Sequence, residues 1–168
     1  MLKPASLRAA LECALPELAA NPDRLIIYID EGRIHSRYGD SLSFEYRYRL
    51  NVVMLDYAHH ASAAIVPLLA WLRVHQPEIG LNPDLADQAV TFEAEILNHS
   101  SMDFAVRLQL SERVIVTQDP ATGETHARHV GEPDPAGSEL GAPTGPWELV
   151  FVKPNTAPGW TTPTPAPV

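Results

Sequence analysis

One segment of the 168-residue chain alternates between apolar and polar side chains, and it constrains the fold more than any other feature. Between residues 44 and 52, aromatic or aliphatic residues take every second position. Because successive side chains of a β-strand point to opposite faces, this pattern predicts a strand with an apolar face and a charged face. The apolar positions are Phe44, Tyr46, Tyr48, Leu50 and Val52, and the polar positions are Glu45, Arg47, Arg49 and Asn51.

Two other segments have the spacing of amphipathic helices. Residues 5 to 20 are predicted as the first helix, with Ser6 as its cap and with Pro16 expected to end or kink it early. Residues 61 to 75 are predicted as the second, with Pro67 either inside the helix or in its first turn. The apolar positions that define the two helices are Leu7, Ala10, Leu11, Ala14, Leu15, Leu18, Ile65, Leu68, Leu69 and Leu72.

Shorter runs complete the predicted sheet. Residues 24 to 29 are expected to form a strand that turns at Asp30–Gly32 into a second strand ending at Tyr38. After a loop over residues 76 to 87, alternating runs at 89 to 97 and 102 to 117 predict a hairpin. Its turn is predicted at Asn98–Ser101, with Phe92, Ala94 and Ile96 on one face of its first strand. This order favours an α+β fold, mainly an antiparallel sheet with two helices on one face.

The composition changes near residue 132, because nine of the 16 prolines fall in the last 37 residues. We therefore divide the chain into a folded domain, residues 1–131, and a proline-rich extended arm, residues 132–168. The run WELVFV, residues 147–152, interrupts the arm with a strand-like pattern. Such a run favours docking on another surface over a free appendage, although the sequence leaves both interpretations open.

Charge and cysteine content limit the classes of function. A formal net charge of −9 argues against a broad phosphate-binding surface, so we expect no sequence-specific nucleic-acid partner. The sequence has no run of 18 apolar residues and no apolar signal core, which favours a cytoplasmic product without a membrane partner. The single cysteine, Cys13, cannot form an internal disulfide, and its position between Leu11 and Leu15 predicts a buried structural thiol.

Few residues suggest covalent chemistry. Asp56, His59 and His60 are the most metal-like local group, but a solvated loop before a helix is the favoured interpretation. Glu93 and Glu95 have the spacing of an acid pair on a strand. Cross-strand ion pairs are the favoured interpretation for them, with arginines on the polar faces of neighbouring strands: Arg47, Arg49, Arg107 and Arg113. We predict no catalytic residue, no metal and no cofactor.

Several runs, in order and spacing, resemble the tail completion protein R family of P2-like contractile-tailed phages. They cover roughly residues 1 to 115 and are MLKPASLRAAL, NPDRL, SLSFEYRYRLNV, IVPLLAWLR, QPEI, FEAEILNHSSMDF and LQLSER. The resemblance implies a structural virion protein that completes the head-proximal end of a contractile tail. It also implies a tail terminator-like fold, with the protein in the host cytoplasm during assembly.

The resemblance further implies a homo-hexameric ring that stops growth of the tube or the sheath. Its partners would be the tail tube or sheath protein and the neck or head–tail connector proteins. In this hypothesis one set of residues faces the ring interior or a neighbouring subunit, and a second set docks the arm. The first set is Glu45, Arg47, Arg49 and Arg107, and the second is Trp147, Leu149, Phe151 and Trp160. The alternative is a transient tail-assembly chaperone or adaptor that the finished particle does not retain.

Overall fold

The computed structural model describes residues 1–37, 39 and 41–132. Within them the chain is an α+β domain around a curled antiparallel sheet, which confirms the predicted class. The helices are α1 (Lys3–Ala14), α2 (Pro16–Ala20), α3 (Ala61–His75), α4 (Pro77–Leu81) and α5 (Pro83–Ala89), with a 3₁₀ turn at Pro22–Arg24. The strands are β1 (Leu25–Ser36), β2 (Phe44–Tyr57), β3 (Val90–Ile96), β4 (Met102–Gln118) and β5 (Thr125–Val130). Tyr38 and the arm beyond Glu132 lie outside the described residues.

The sheet is built around β4, which has 17 residues. Strand β2 pairs with one edge of β4 along most of its length, and β1 pairs with the far side of β2. The other edge of β4 is shared, because β3 pairs with residues 102–108 and β5 with residues 113–118. Residues 109–112 of β4 therefore lie in a gap between two strands.

One face of the sheet packs against the helices and forms the core. Leu50, Val52 and Met54 of β2 are fully buried, and so are Phe104 and Leu108 of β4. Tyr48 is also buried, whereas Phe44 and Tyr46 at the start of β2 are only partly covered. Helices α1 and α3 supply the opposing side chains, so the predicted strand alternation and the two predicted helices are confirmed. The buried helical residues include Leu7, Leu11, Leu68 and Trp71.

The first helix differs from its prediction at both ends. It starts at Lys3, with Pro4 in its first turn, and the Ser6 hydroxyl accepts a hydrogen bond from Trp71 Nε1 at 3.0 Å instead of capping the helix. It ends at Ala14, and Pro16 begins α2, so the expected early end is confirmed. The prediction of a buried Cys13 was wrong, because that thiol is exposed.

The predicted turn at Asp30–Gly32 is wrong, because β1 runs through it. Asp30 pairs with Arg49 and Arg33 pairs with Arg47, so β1 holds one more residue than β2 across this interval. This is a β-bulge, and Glu31 within it has a φ of 50°. A bulge absorbs the extra residue while the flanking residues keep their hydrogen bonds to β2.

Other segments settle or correct the predictions. Pro67 lies inside α3, one of its two predicted positions, because the helix begins at Ala61, where the His60 ring accepts a hydrogen bond from Ser62 N. The segment predicted as a loop over residues 76–87 contains α4 and most of α5. Strand β5 was not predicted, because its sequence THARHV lacks apolar alternation. The turn at Asn98–Ser101 is confirmed, since Asn98 Oδ1 accepts hydrogen bonds from the backbone of Ser100 and Ser101.

The longest helix in the described part of the chain, α3, has 15 residues. None of the described helices combines the length and the hydropathy needed to cross a membrane.

Candidate functional site: a charged groove on the sheet

A charged groove lies on the sheet face opposite the helical core. The polar residues of β2 alternate with its core residues, and β4 places its own polar residues beside them. Helices α4 and α5 contribute Glu78, Ile79 and Gln88 to one wall, which gives a cavity volume of about 850 Å³. The charged side chains that line the groove are Glu31, Arg33, Glu45, Arg47, Arg49, Glu78 and Arg107. Four predicted interface residues, Glu45, Arg47, Arg49 and Arg107, are thus brought together.

Most groove arginines already hold a carboxylate. Arg49 Nη1 lies 2.7 Å from Glu31 Oε1, and Arg47 Nη2 lies 2.9 Å from Glu45 Oε2. Arg107 binds Glu93 with two hydrogen bonds of 2.7 and 2.9 Å, which lower the pKa of Glu93. The predicted ion pairing of Glu93 across strands is therefore confirmed.

Arg33 is the exception among these arginines. It lies directly opposite Arg47 in the β1–β2 ladder, on the same polar face of the sheet. Like charges directly opposite each other destabilise a sheet, and the Glu45 carboxylate beside Arg47 offsets part of this repulsion.

The other candidate residues do not converge on a reactive centre. His59 Nε2 lies 2.7 Å from Glu17 Oε2, and Asp56 Oδ2 lies 3.0 Å from Arg24 Nη2. Among residues 1–37, 39 and 41–132, no group of three His, Cys, Asp or Glu side chains is placed to bind a metal ion. The groove itself presents paired guanidinium and carboxylate groups, an arrangement suited to binding charged surfaces.

A buried polar cluster next to the groove was missed by the sequence analysis. Glu112 is 4% exposed, and its carboxylate accepts hydrogen bonds from Leu2 N at 2.7 Å, Lys3 N at 3.3 Å and the Tyr48 hydroxyl at 2.5 Å. Leu2 directly precedes α1 and Lys3 begins it, so a carboxylate from β4 takes the role of a helix cap. The sequence does contain one indication that Glu112 is buried. It occupies an apolar position in the β4 alternation, between Leu110 and Val114.

Gln76 fills the gap between β3 and β5. Its Oε1 accepts hydrogen bonds from Ser111 N at 3.2 Å and from Lys3 Nζ at 2.6 Å, while its Nε2 donates to Ser111 Oγ at 3.0 Å and to Glu78. The side chain thus replaces a missing strand partner for β4. Because Gln76 directly precedes α4, it also fixes that helix as a wall of the groove.

Removing the buried carboxylate should destabilise the domain. Glu112→Ala should lower the free energy of unfolding by about 3 kcal/mol, because the donors of Tyr48, Leu2 and Lys3 lose their acceptor. Chemical denaturation measures this loss. Glu112→Gln, which keeps one oxygen acceptor, should cost less, and an alanine variant within about 1 kcal/mol of the unchanged protein would contradict the capping role.

The difference in stability between the unchanged protein and Glu112→Gln should depend on pH. Burial raises the pKa of Glu112, but the hydrogen bonds from Tyr48, Leu2 and Lys3 outweigh burial and hold it below the ordinary value of 4.5. A carboxylate with a depressed folded pKa contributes stability above its unfolded pKa and loses it as the pH falls through the folded pKa. The advantage of the unchanged protein over Glu112→Gln should be full at neutral pH and shrink as the pH falls below 4.5.

Known proteins are similar to this chain over the domain that the structure describes. The family model described as P2 phage tail completion protein R (GpR) matches residues 1–133. The tail completion protein R of Escherichia phage P2 is 44% identical over 135 residues, which cover 80% of this chain and 86% of that protein. No solved structure matches the chain. The sheet, its charged groove and the residues that anchor α1 thus all lie within the matched region, and the chain belongs to the tail completion protein R family.

Proposed function

We propose that this protein completes the head-proximal end of a contractile phage tail, or of a phage-tail-like particle, as a structural component. The observation that carries the proposal is the 44% identity to a protein named tail completion protein R, together with the family match over residues 1–133. The charged groove of the domain adds a physical rationale, because such a surface is suited to binding other subunits.

The proposed oligomer is a hexameric ring that stops growth of the tube or the sheath and offers a surface to the neck or connector proteins. A terminating ring must present one surface that binds the last polymer layer and another that does not extend it. The described domain has two chemically distinct surfaces of this kind. One is the charged groove, and the other is the open edge of β3, where Phe92 and Ile96 are exposed.

In this proposal the groove receives an acidic surface of a neighbouring copy. Four arginines and three glutamates line the groove, although the chain as a whole carries a net charge of −9. The remainder of each copy is therefore strongly acidic and complementary to the groove of the next. Contact between two different surfaces of identical copies is head-to-tail, and such contacts close into rings when the rotation allows.

The proline-rich arm, residues 132–168, is proposed to form a second contact between subunits or with a partner. The segment around Trp147, Leu149 and Phe151 would add to a sheet edge of an adjacent subunit or partner, with Trp160 as a further anchor. Main-chain hydrogen bonds along a sheet edge would supply affinity, and the large side chains would supply specificity.

Size and particle composition test the proposed function together. Light scattering on the purified chain should give a mass near six times 18.4 kDa, and negative-stain images of tails with the chain bound should show a ring. Mass spectrometry of purified tails should detect the chain as a retained component. A chain that is required for assembly but absent from finished tails would instead support a transient chaperone or adaptor and would overturn the structural proposal.

A further inference from the structure

The open edge of β3 exposes two large apolar side chains. Phe92 is 64% exposed and Ile96 is 80% exposed, and both lie on the same side of the sheet as the core. The Phe92 ring lies 5.9 Å from the ring of Phe104, which is fully buried. The apolar face of the sheet therefore continues from β4 onto β3. The helices that bury β4 leave Phe92 and Ile96 of β3 exposed.

The regularity of β3 distinguishes it from the other open edges. Its seven residues pair with β4 from Val90 to Ile96 without a register shift. Strand β1 is interrupted by the bulge at Asp30–Arg33, a device that protects edges from further pairing. Strand β5, with the sequence THARHV, offers polar and basic side chains instead of an apolar face. A strand that adds to this sheet is best accommodated at β3.

The sequence of the arm contains a run with a matching apolar pattern. In the run from Trp147 to Val152, large apolar residues occupy every second position, and six residues correspond in length to the seven of β3. Aligned beside β3, Trp147, Leu149 and Phe151 would cover the exposed side chains of Phe92 and Ile96.

The connection is long enough for this contact. Glu132, the last described residue, lies 3.2 Å from Lys3 Nζ and 3.3 Å from Arg113 Nη2, so the chain leaves the domain beside the gap between β3 and β5. Residues 133–146 follow before Trp147 and can span up to about 45 Å when extended. Such a length exceeds that of the seven-residue β3, which is roughly 23 Å long.

We propose that residues 147–152 of this protein add as a strand to the open edge of β3 and cover Phe92 and Ile96. This inference rests on the proposed function, which takes the arm to dock on a sheet edge. It adds that the edge is the one of β3. Addition of a strand gives hydrogen-bond partners to the β3 amides that point away from β4.

Hydrogen exchange on the full-length protein tests the proposal. The triple variant Trp147→Ser, Leu149→Ser and Phe151→Ser should exchange the outward β3 amides at least about tenfold faster than the unchanged protein. Amides of β1 and β5 should be unaffected. The matched control, with Ala142→Ser, Pro143→Ser and Pro146→Ser in the same arm, should leave β3 protected.

A second variant approaches the contact from the other side. Phe92→Lys with Ile96→Lys alters only exposed side chains and should reproduce the loss of β3 protection without unfolding the domain. Equal β3 exchange in the unchanged protein and in the triple variant would overturn the inference. Oligomer mass, measured on the same samples, separates this inference from the proposed hexameric ring. A hexamer with an unprotected β3 edge contradicts only the docking of residues 147–152. A monomer with a protected β3 edge contradicts only the ring.

Discussion

Reversing the charges of Arg47 and Arg49 should weaken self-association by more than about 100-fold, because like charges brought together at an interface cost several kcal/mol. Both side chains line the groove that is proposed to receive an acidic surface of the neighbouring copy. In Arg47→Glu with Arg49→Glu, the new carboxylates would face that acidic surface and the existing Glu45 and Glu31. Light scattering over a dilution series measures the change in association.

The control for this variant carries the same change in net charge elsewhere. Arg24 and Arg73 are exposed and lie outside the residues that line the groove. Arg24→Glu with Arg73→Glu should therefore keep the oligomer, apart from a small general repulsion that salt screens. Circular dichroism should show both double variants folded. Equal association of the groove variant and the control would show that the groove does not form the subunit contact.

The largest effect on stability is expected at Trp71. Trp71→Ala should lower the free energy of unfolding by about 3–5 kcal/mol, because the side chain is fully buried and its removal leaves a cavity. The indole also joins α3 to α1 through its hydrogen bond to the Ser6 hydroxyl. The loss should therefore exceed that of Trp71→Phe, which retains most of the apolar contact. Denaturant titration measures both variants.

Leu69, on the same helix, provides the matched control. It is 48% exposed, so Leu69→Ala should change the free energy of unfolding by about 0.5 kcal/mol or less. A Trp71→Ala variant as stable as Leu69→Ala would contradict the packing of α3 against α1.

The sheet and the groove were predictable because a strand has a period of two. Once the alternation in β2 places Tyr48 and Leu50 in the core, Arg47 and Arg49 must lie on the opposite face. The same argument for β4 places Arg107 beside them. Four of the proposed interface residues could thus be assigned to one surface from the sequence, although their role is still a prediction.

The buried cluster could not be predicted in the same way. Glu112 contacts Leu2 across 110 residues of sequence, and Gln76 contacts Ser111 across 35. Local spacing carries no information on such contacts, because they depend on how β4 meets α1 and α4. The gap in the β4 edge, which Gln76 fills, exists only once β3 and β5 have both paired.

Two wrong predictions, at Cys13 and at Asp30–Gly32, have identifiable physical causes. Cys13 lies two positions beyond the buried Leu11, and residues two apart on a helix point in different directions, so the thiol faces solvent. The Asp30–Gly32 segment has the composition of a turn, but the flanking residues gain ladder hydrogen bonds if β1 continues past it. Tertiary pairing therefore overrode a local turn preference.

A map of the head-proximal end of the purified tail tests the central claim most directly. We predict a ring of six copies of this chain on the last layer of the tube or the sheath, with the Arg47 and Arg49 groove at each subunit junction. A terminal layer built without this chain would contradict a role in completing the tail.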